Sequence, residues 1–204
     1  MLHFLNDDIL HEIICSDKHE SWGSLLHVST DTCTSMLRIC DNCVYCMFSL
    51  RSHIGHLCSL RGTGASTINY LFSLSPYVVR MAVLMDTSCQ RTLTPILSMC
   101  NDVAPLRILI KIMGEYSVQG MLVARDAMGY TPLMRMCGLG LFECVEELLS
   151  FLPDVQVTLT TSGGMSALCI ACDYGSKECT ELLLHHSSHD QVCNDGTKGF
   201  PLMI

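Results

Sequence analysis

Apolar and polar positions are patterned most regularly between residues 141 and 149, where Val145, Leu148 and Leu149 stand at i, i+3 and i+4 and Glu146 and Glu147 fall on the other side. That spacing predicts a short helix with one buried stripe. An earlier apolar run, Leu133-Met134, is opened by Thr131-Pro132 and closed by Gly140. Threonine caps free backbone amides, and proline at the first helical position gives up a hydrogen bond the helix does not use, so a first helix is expected between Thr131 and Gly140. Much of this order returns. Gly129, Cys137, Gly140, Glu143-Cys144 and Leu148-Leu149 recur 35 residues later as Gly164, Cys172, Gly175, Glu178-Cys179 and Leu183-Leu184. Neither helix of such a pair can bury its stripe alone, whereas pairs stacked side by side share a continuous core. The pattern therefore predicts an all-α solenoid held by nearest-neighbour packing.

The stretch Asp126–Leu149, headed by Gly129-Tyr130-Thr131-Pro132-Leu133-Met134, resembles the ankyrin repeat, whose signature is a turn, T-P-L-H-x-A and two antiparallel helices in about 33 residues. The resemblance extends over Gly164–Leu184, where Ser166-Ala167 replaces Thr-Pro ahead of Leu168. A third, degenerate unit lies upstream: Thr94-Pro95-Ile96-Leu97 and Cys100 precede Thr131-Pro132-Leu133-Met134 and Cys137 by 37 residues, with Ile108 where Val145 falls. The family's histidine is Met134, Cys169 and Leu97 in the three units, a loss that costs regularity and stability. Gly199-Phe200-Pro201-Leu202-Met203 looks like the opening of a fourth unit, either a short cap or part of an array that continues in a longer gene product.

The resemblance implies an ankyrin-type solenoid over residues 61–204, with units near 90–125, 126–160 and 161–195 and a partial unit at 196–204, behind an N-terminal helical region at 1–60. Its scaffold positions are Gly129, Thr131, Pro132, Leu133, Cys137, Gly140, Val145, Leu148 and Leu149, then Gly164, Leu168, Cys172, Gly175, Leu183 and Leu184, with Cys137 and Cys172 expected to be buried. Between these points, Pro153 is expected to end the second helix. Residues 158–164 read as a turn, and 114–125 as a link without nameable chemistry. Thr67–Leu84 reads as two short helices parted by Ser75-Pro76, capped by Ser66-Thr67, where another degenerate unit belongs.

At the N-terminus, Leu5, Ile9, Leu10, Ile13 and Ile14 repeat at helical spacing behind Asn6-Asp7-Asp8, which predicts a capped helix. Together with Leu25-Leu26-His27-Val28-Ser29 this run resembles an F-box, the helical module that docks onto a ubiquitin-ligase linker protein. A plain amphipathic capping helix accounts for the same residues. Ser24–Ser29 also reads as T-P-L-H-x-A, with Trp22-Gly23 as its turn and Met36-Leu37-Arg38-Ile39 in a second helix, and that alternative excludes the F-box there.

Composition narrows the function classes. Apolar residues make up 49% and charged ones 16%, so part of the surface is expected to be covered by a partner. The longest apolar stretch, Ile68–Met85, is interrupted by Asn69, Pro76 and Arg80, which argues against a membrane span. No secretory signal is visible in Met1–Asp8. Net charge is −8 without a basic cluster, which disfavours nucleic acid. The 14 cysteines, several at repeat core positions, suit a reducing intracellular compartment, with the cytoplasm as the expected location. Arg61–Ser66 is a glycine loop that lacks the strand, lysine and spacing of a phosphate cradle. Cys40, Cys43 and Cys46 have metal-ligand spacing that His53 or His56 would complete. Cys40 and Cys43 also fall on one side of a helix as core thiols, and that reading is preferred. His185, His186 and His189 are read as helix-end histidines.

No catalytic, cofactor or metal residue is assigned. Cys137 and Cys172 are desolvated by their expected burial, Glu146-Glu147 is helix surface and Asp7-Asp8 a cap, so a non-enzymatic module is expected. In the family geometry, turns and first helices line a concave protein-binding surface. By that resemblance the variable positions Met128, Tyr130 and Met165 on the turns, and Leu139, Asp173 and Tyr174 on the first helices, are the candidate partner-binding residues. The expected function is a non-catalytic protein–protein interaction module; the alternative is a substrate adaptor docked to a ubiquitin-ligase component.

Overall fold

The computed structural model describes residues 11–12, 30–60, 62, 64–88 and 95–186. The F-box-like segment Leu5–Ser29, apart from His11-Glu12, the Thr94 cap and the partial unit at 196–204 lie outside these residues. The described residues form eleven α-helices and one 3-10 turn: α1 (Thr30–Asn42), α2 (Val44–Ser59), α3 (Gly64–Leu74), α4 (Pro76–Ser88), the 3-10 turn Ile96–Met99, α5 (Val103–Met113), α6 (Glu115–Leu122), α7 (Pro132–Leu139), α8 (Phe142–Leu149), α9 (Pro153–Thr158), α10 (Ala167–Asp173) and α11 (Lys177–His186). Among the described residues the one β pairing is an isolated antiparallel bridge between Thr160 and Ser166. This is the expected all-α solenoid. None of these helices is long and apolar enough to cross a membrane.

The stack has two rows. The 3-10 turn, α7 and α10 pack on one another in the first row, and α5, α8 and α11 line up in the second. One apolar core runs from Met36 to Leu183 through both rows. In α8 the buried positions are Cys144, Val145, Leu148 and Leu149, the stripe expected from their spacing. On the far side the 3-10 turn meets α2, and α5 meets α3 and α4, so the N-terminal helices continue the same core. Gly64 starts α3 against the end of α2, where a side-chain carbon would collide with the Leu57 carbonyl. Gly64 therefore serves a close helix approach, and α3 begins ahead of Ser66-Thr67, which lie inside its first turn.

Several expectations need correction. The link at 114–125 contains α6, and among the described residues the degenerate unit has the 3-10 turn in place of a first α-helix. Ile108 is half-buried, while Leu106, Leu109, Ile112 and Met113 form the buried stripe, so Ile108 does not have the full burial that Val145 has in α8. Helix α8 ends at Leu149, ahead of Pro153, and Pro153 is instead the first residue of α9, after Leu152 turns the chain at φ 44°. Gln156 of α9 is buried and donates to the carbonyls of Leu148 and Phe151, satisfying the end of α8. Cys172 and Leu184 are exposed, not buried. Cys137 is covered by the following unit, where Ser176 Oγ donates to its carbonyl at 2.8 Å. Among the described residues no unit follows α10 and α11 to cover Cys172 and Leu184 in the same way.

Candidate functional site

The turns ahead of α7 and α10 are built alike. In the first, the backbone amide of Asp126 donates to Tyr130 and that of Gly129 to Asp126, at 3.0 and 2.9 Å, and Gly129 sits at φ 85°. In the second, Thr161 donates to Met165 and Gly164 to Thr161, both at 2.9 Å, with Gly164 at φ 82°. Asp126 is almost fully buried, and one carboxylate oxygen accepts from the amides of Met128 and Tyr130, each at 2.9 Å. Its other oxygen takes Arg135 Nε at 2.7 Å, and the Arg135 guanidinium lies 4.8 Å from the centre of the Tyr130 ring. A buried carboxylate with three donors and a cation over an aromatic face lock the turn onto α7. Thr161 does the smaller version of this job, its hydroxyl accepting from Met165 at 3.2 Å.

Arg125 joins the two turns, donating to the carbonyl of Gly129 at 3.1 Å and to that of Thr160 in the next unit. The helices that follow are capped by Thr131, which accepts from the Met134 amide at 3.4 Å, and by Ser166, which accepts from Cys169 at 3.2 Å. Met134 is buried, and its sulfur accepts from the Thr131 amide at 3.5 Å. A thioether thus closes the capping box at the position where the family signature has histidine. Both helices end at left-handed glycines, Gly140 at φ 67° and Gly175 at φ 70°.

The six candidate residues divide into two groups. Met128, Leu139 and Tyr174 are 65%, 59% and 64% exposed, and Asp173 beside them is exposed too. Leu139 and Tyr174 hold equivalent places, each just ahead of its terminating glycine. Tyr174 leans back over Gly138, where a side-chain carbon would already touch its ring at 3.8 Å. Tyr130 and Met165, also equivalent, are half-buried and pack against the core. Sequence reasoning passed over Asp126, Arg135 and Arg125, although they set the turns. The available signal was Asp126 at the head of the motif with a cation nine residues on.

Among the cysteines of the array, Cys100, Cys137 and Cys144 are poorly placed for nucleophilic chemistry, whereas Cys172 is exposed. Burial pushes the Cys144 thiol up to about 11 and raises Cys137 further. Hydrogen bonding to Cys58, then burial, raises Cys100. The run Cys40-x2-Cys43-x2-Cys46 does not share one helix as expected: Cys40 is buried in α1, the chain breaks at Cys43, and Cys46 is buried in α2. His53 is buried and His56 exposed on α2, while His185 and His186 are exposed in the last turn of α11.

Residues 106–195 match the family model for ankyrin repeats, in three copies. These residues are ankyrin repeats. The ankyrin match begins inside α5, so it takes the second helix of the degenerate unit and both complete units with their paired turns. Ankyrin repeats are in general protein–protein interaction modules and typically non-catalytic. No curated protein matches the chain.

Proposed function

We propose that this chain is a non-catalytic protein-binding module whose contact face is made by Met128, Leu139, Asp173 and Tyr174. The observation that carries the reading is the pair Leu139 and Tyr174: two large apolar side chains, at equivalent places in adjacent ankyrin units, both turned to solvent on a buried scaffold. Exposed aromatic and flexible apolar groups repeated at a fixed interval suit a protein partner, because they supply contact area at low ordering cost. Tyr130 and Met165 support the turns from beneath and shape the face without forming its outer surface. Residues 61–204 are the array in this reading, and residues 1–60 the N-terminal region, whose described helices α1 and α2 share the core of the first units.

The test is quantitative affinity capture with the wild-type chain against a Leu139→Asp/Tyr174→Asp variant whose helical content and melting are unchanged. The captured set is expected to fall about tenfold or more, as for interface anchors worth some 1.4 kcal/mol or above. A Tyr77→Asp control, exposed on α4, should capture normally. Equal capture by all three chains would refute the assignment of this face.

A further inference from the structure

Among the described residues outside the repeats, one group of metal-capable side chains converges: His11, Cys43 and Cys46 place one ligand atom each within 4.8 Å of one another. His11 Nε2 lies 3.3 Å from Cys43 Sγ, across 32 residues of sequence. Cys43 is the residue ahead of α2, with φ −136° and ψ 118°, and Cys46 follows in the first turn. That arrangement aims two sulfurs from one helix start at a common point and brings an imidazole to it from a separate segment. We propose that His11, Cys43 and Cys46 form a zinc site.

The chemistry of the donor set fits. Two thiolates and one neutral imidazole balance the charge of Zn2+, and soft sulfur with borderline nitrogen is its preferred company. In a tetrahedral site, bond lengths near 2.3 Å to sulfur and 2.0 Å to nitrogen put neighbouring donors about 3.5–3.8 Å apart. The His11–Cys43 distance is already there, and the remaining separations need to close by about 1 Å at most. Cys46 is buried, Cys43 half-buried and His11 exposed, so the described residues supply three donors, and water or a further donor completes the four.

Neither Cys40, which donates to the Cys46 carbonyl, nor His53 or His56 belongs to the group, so its composition differs from the one that spacing alone suggests. Filled, the site would staple the segment around His11 to the start of α2, and its binding energy would add to folding.

The test uses the full reduced chain, stripped of metal and titrated with Zn2+ against a chromophoric chelator, with Co2+ as a spectroscopic stand-in. One zinc per chain is expected, with Co2+ giving thiolate charge-transfer bands and tetrahedral d–d intensity. Cys43→Ser and His11→Ala each weaken binding by at least about tenfold, while Cys172→Ser on α10 leaves it unchanged. His11 is exposed, so His11→Ala keeps the test valid even if the Cys43 variant folds poorly. The proposal is overturned if the folded reduced chain takes no zinc, if binding survives both substitutions, or if binding needs the two cysteines and is indifferent to His11.

Discussion

At Gly129 the backbone stands at φ 85°, and at Gly120 of α6 it does not leave the right-handed side, which separates two glycines that look alike in the sequence. An alanine at the first would be forced into a conformation that costs an L-residue about 1–2 kcal/mol. Gly120 has open space around its missing side chain, and alanine there should stabilise by about 0.5–1 kcal/mol. Urea denaturation of Gly129→Ala and Gly120→Ala is expected to move in opposite directions; parallel shifts would contradict the turn geometry. Gly129 and Gly164 were legible as turn residues because a repeat marks them twice. Asp126 and Arg135 were not, because their pairing depends on where two side chains point, and neither residue has a titratable or charged counterpart in the second unit, where Thr161 and Ile170 stand instead. Leu139 and Tyr174 could be placed ahead of their glycines from sequence, whereas the half-burial of Tyr130 and Met165 follows from packing beneath the turn.

Among the helices, α9 shows why boundaries are harder to read than elements. Proline can stop a helix or start one, and Pro153 starts α9, three residues after α8 has closed at Ser150. Gln156 ties this short helix to the end of α8, since its amide donates to the Leu148 carbonyl, which the Phe151 amide also reaches, and to the carbonyl of Phe151. Gln156→Leu keeps the volume and removes both donated bonds, one from the Leu148 carbonyl and one from that of Phe151, at a cost of about 1–3 kcal/mol. Chemical denaturation should show that loss with helical content nearly unchanged, and a neutral result would mean that water replaces the amide. The helix α6 was hidden by its glycine and its short length. The first helix of the degenerate unit shrank to the 3-10 turn, although Pro95, Ile96, Leu97 and Cys100 kept the family spacing and are all buried. Apolar spacing reported that the segment packs, and was silent on how tightly its backbone winds.

Taken whole, the molecule carries thiols where other cores carry methyl groups, and this makes its stability depend on alkaline pH. Cys144 rises from 9.0 to about 11 on folding, chiefly because burial disfavours the thiolate, and Cys137 and Cys100 are raised as well. A thiol that holds its proton more firmly when folded favours the folded state fully below pH 9 and gives up that preference as pH climbs toward 11. The denaturation midpoint of the reduced protein should therefore fall between pH 9 and pH 11, and Cys144→Ala should flatten the fall; an unaltered slope would show that Cys144 does not contribute. The continuous core from Met36 to Leu183 spreads such losses across neighbouring units. Arg125 does something similar at the rim, holding the carbonyl of one turn and that of the next with a single guanidinium. Successive tips are thereby coupled, so substitutions in adjacent turns should combine non-additively, and the recognition properties of one unit cannot be altered or transplanted independently of the neighbour it is tethered to.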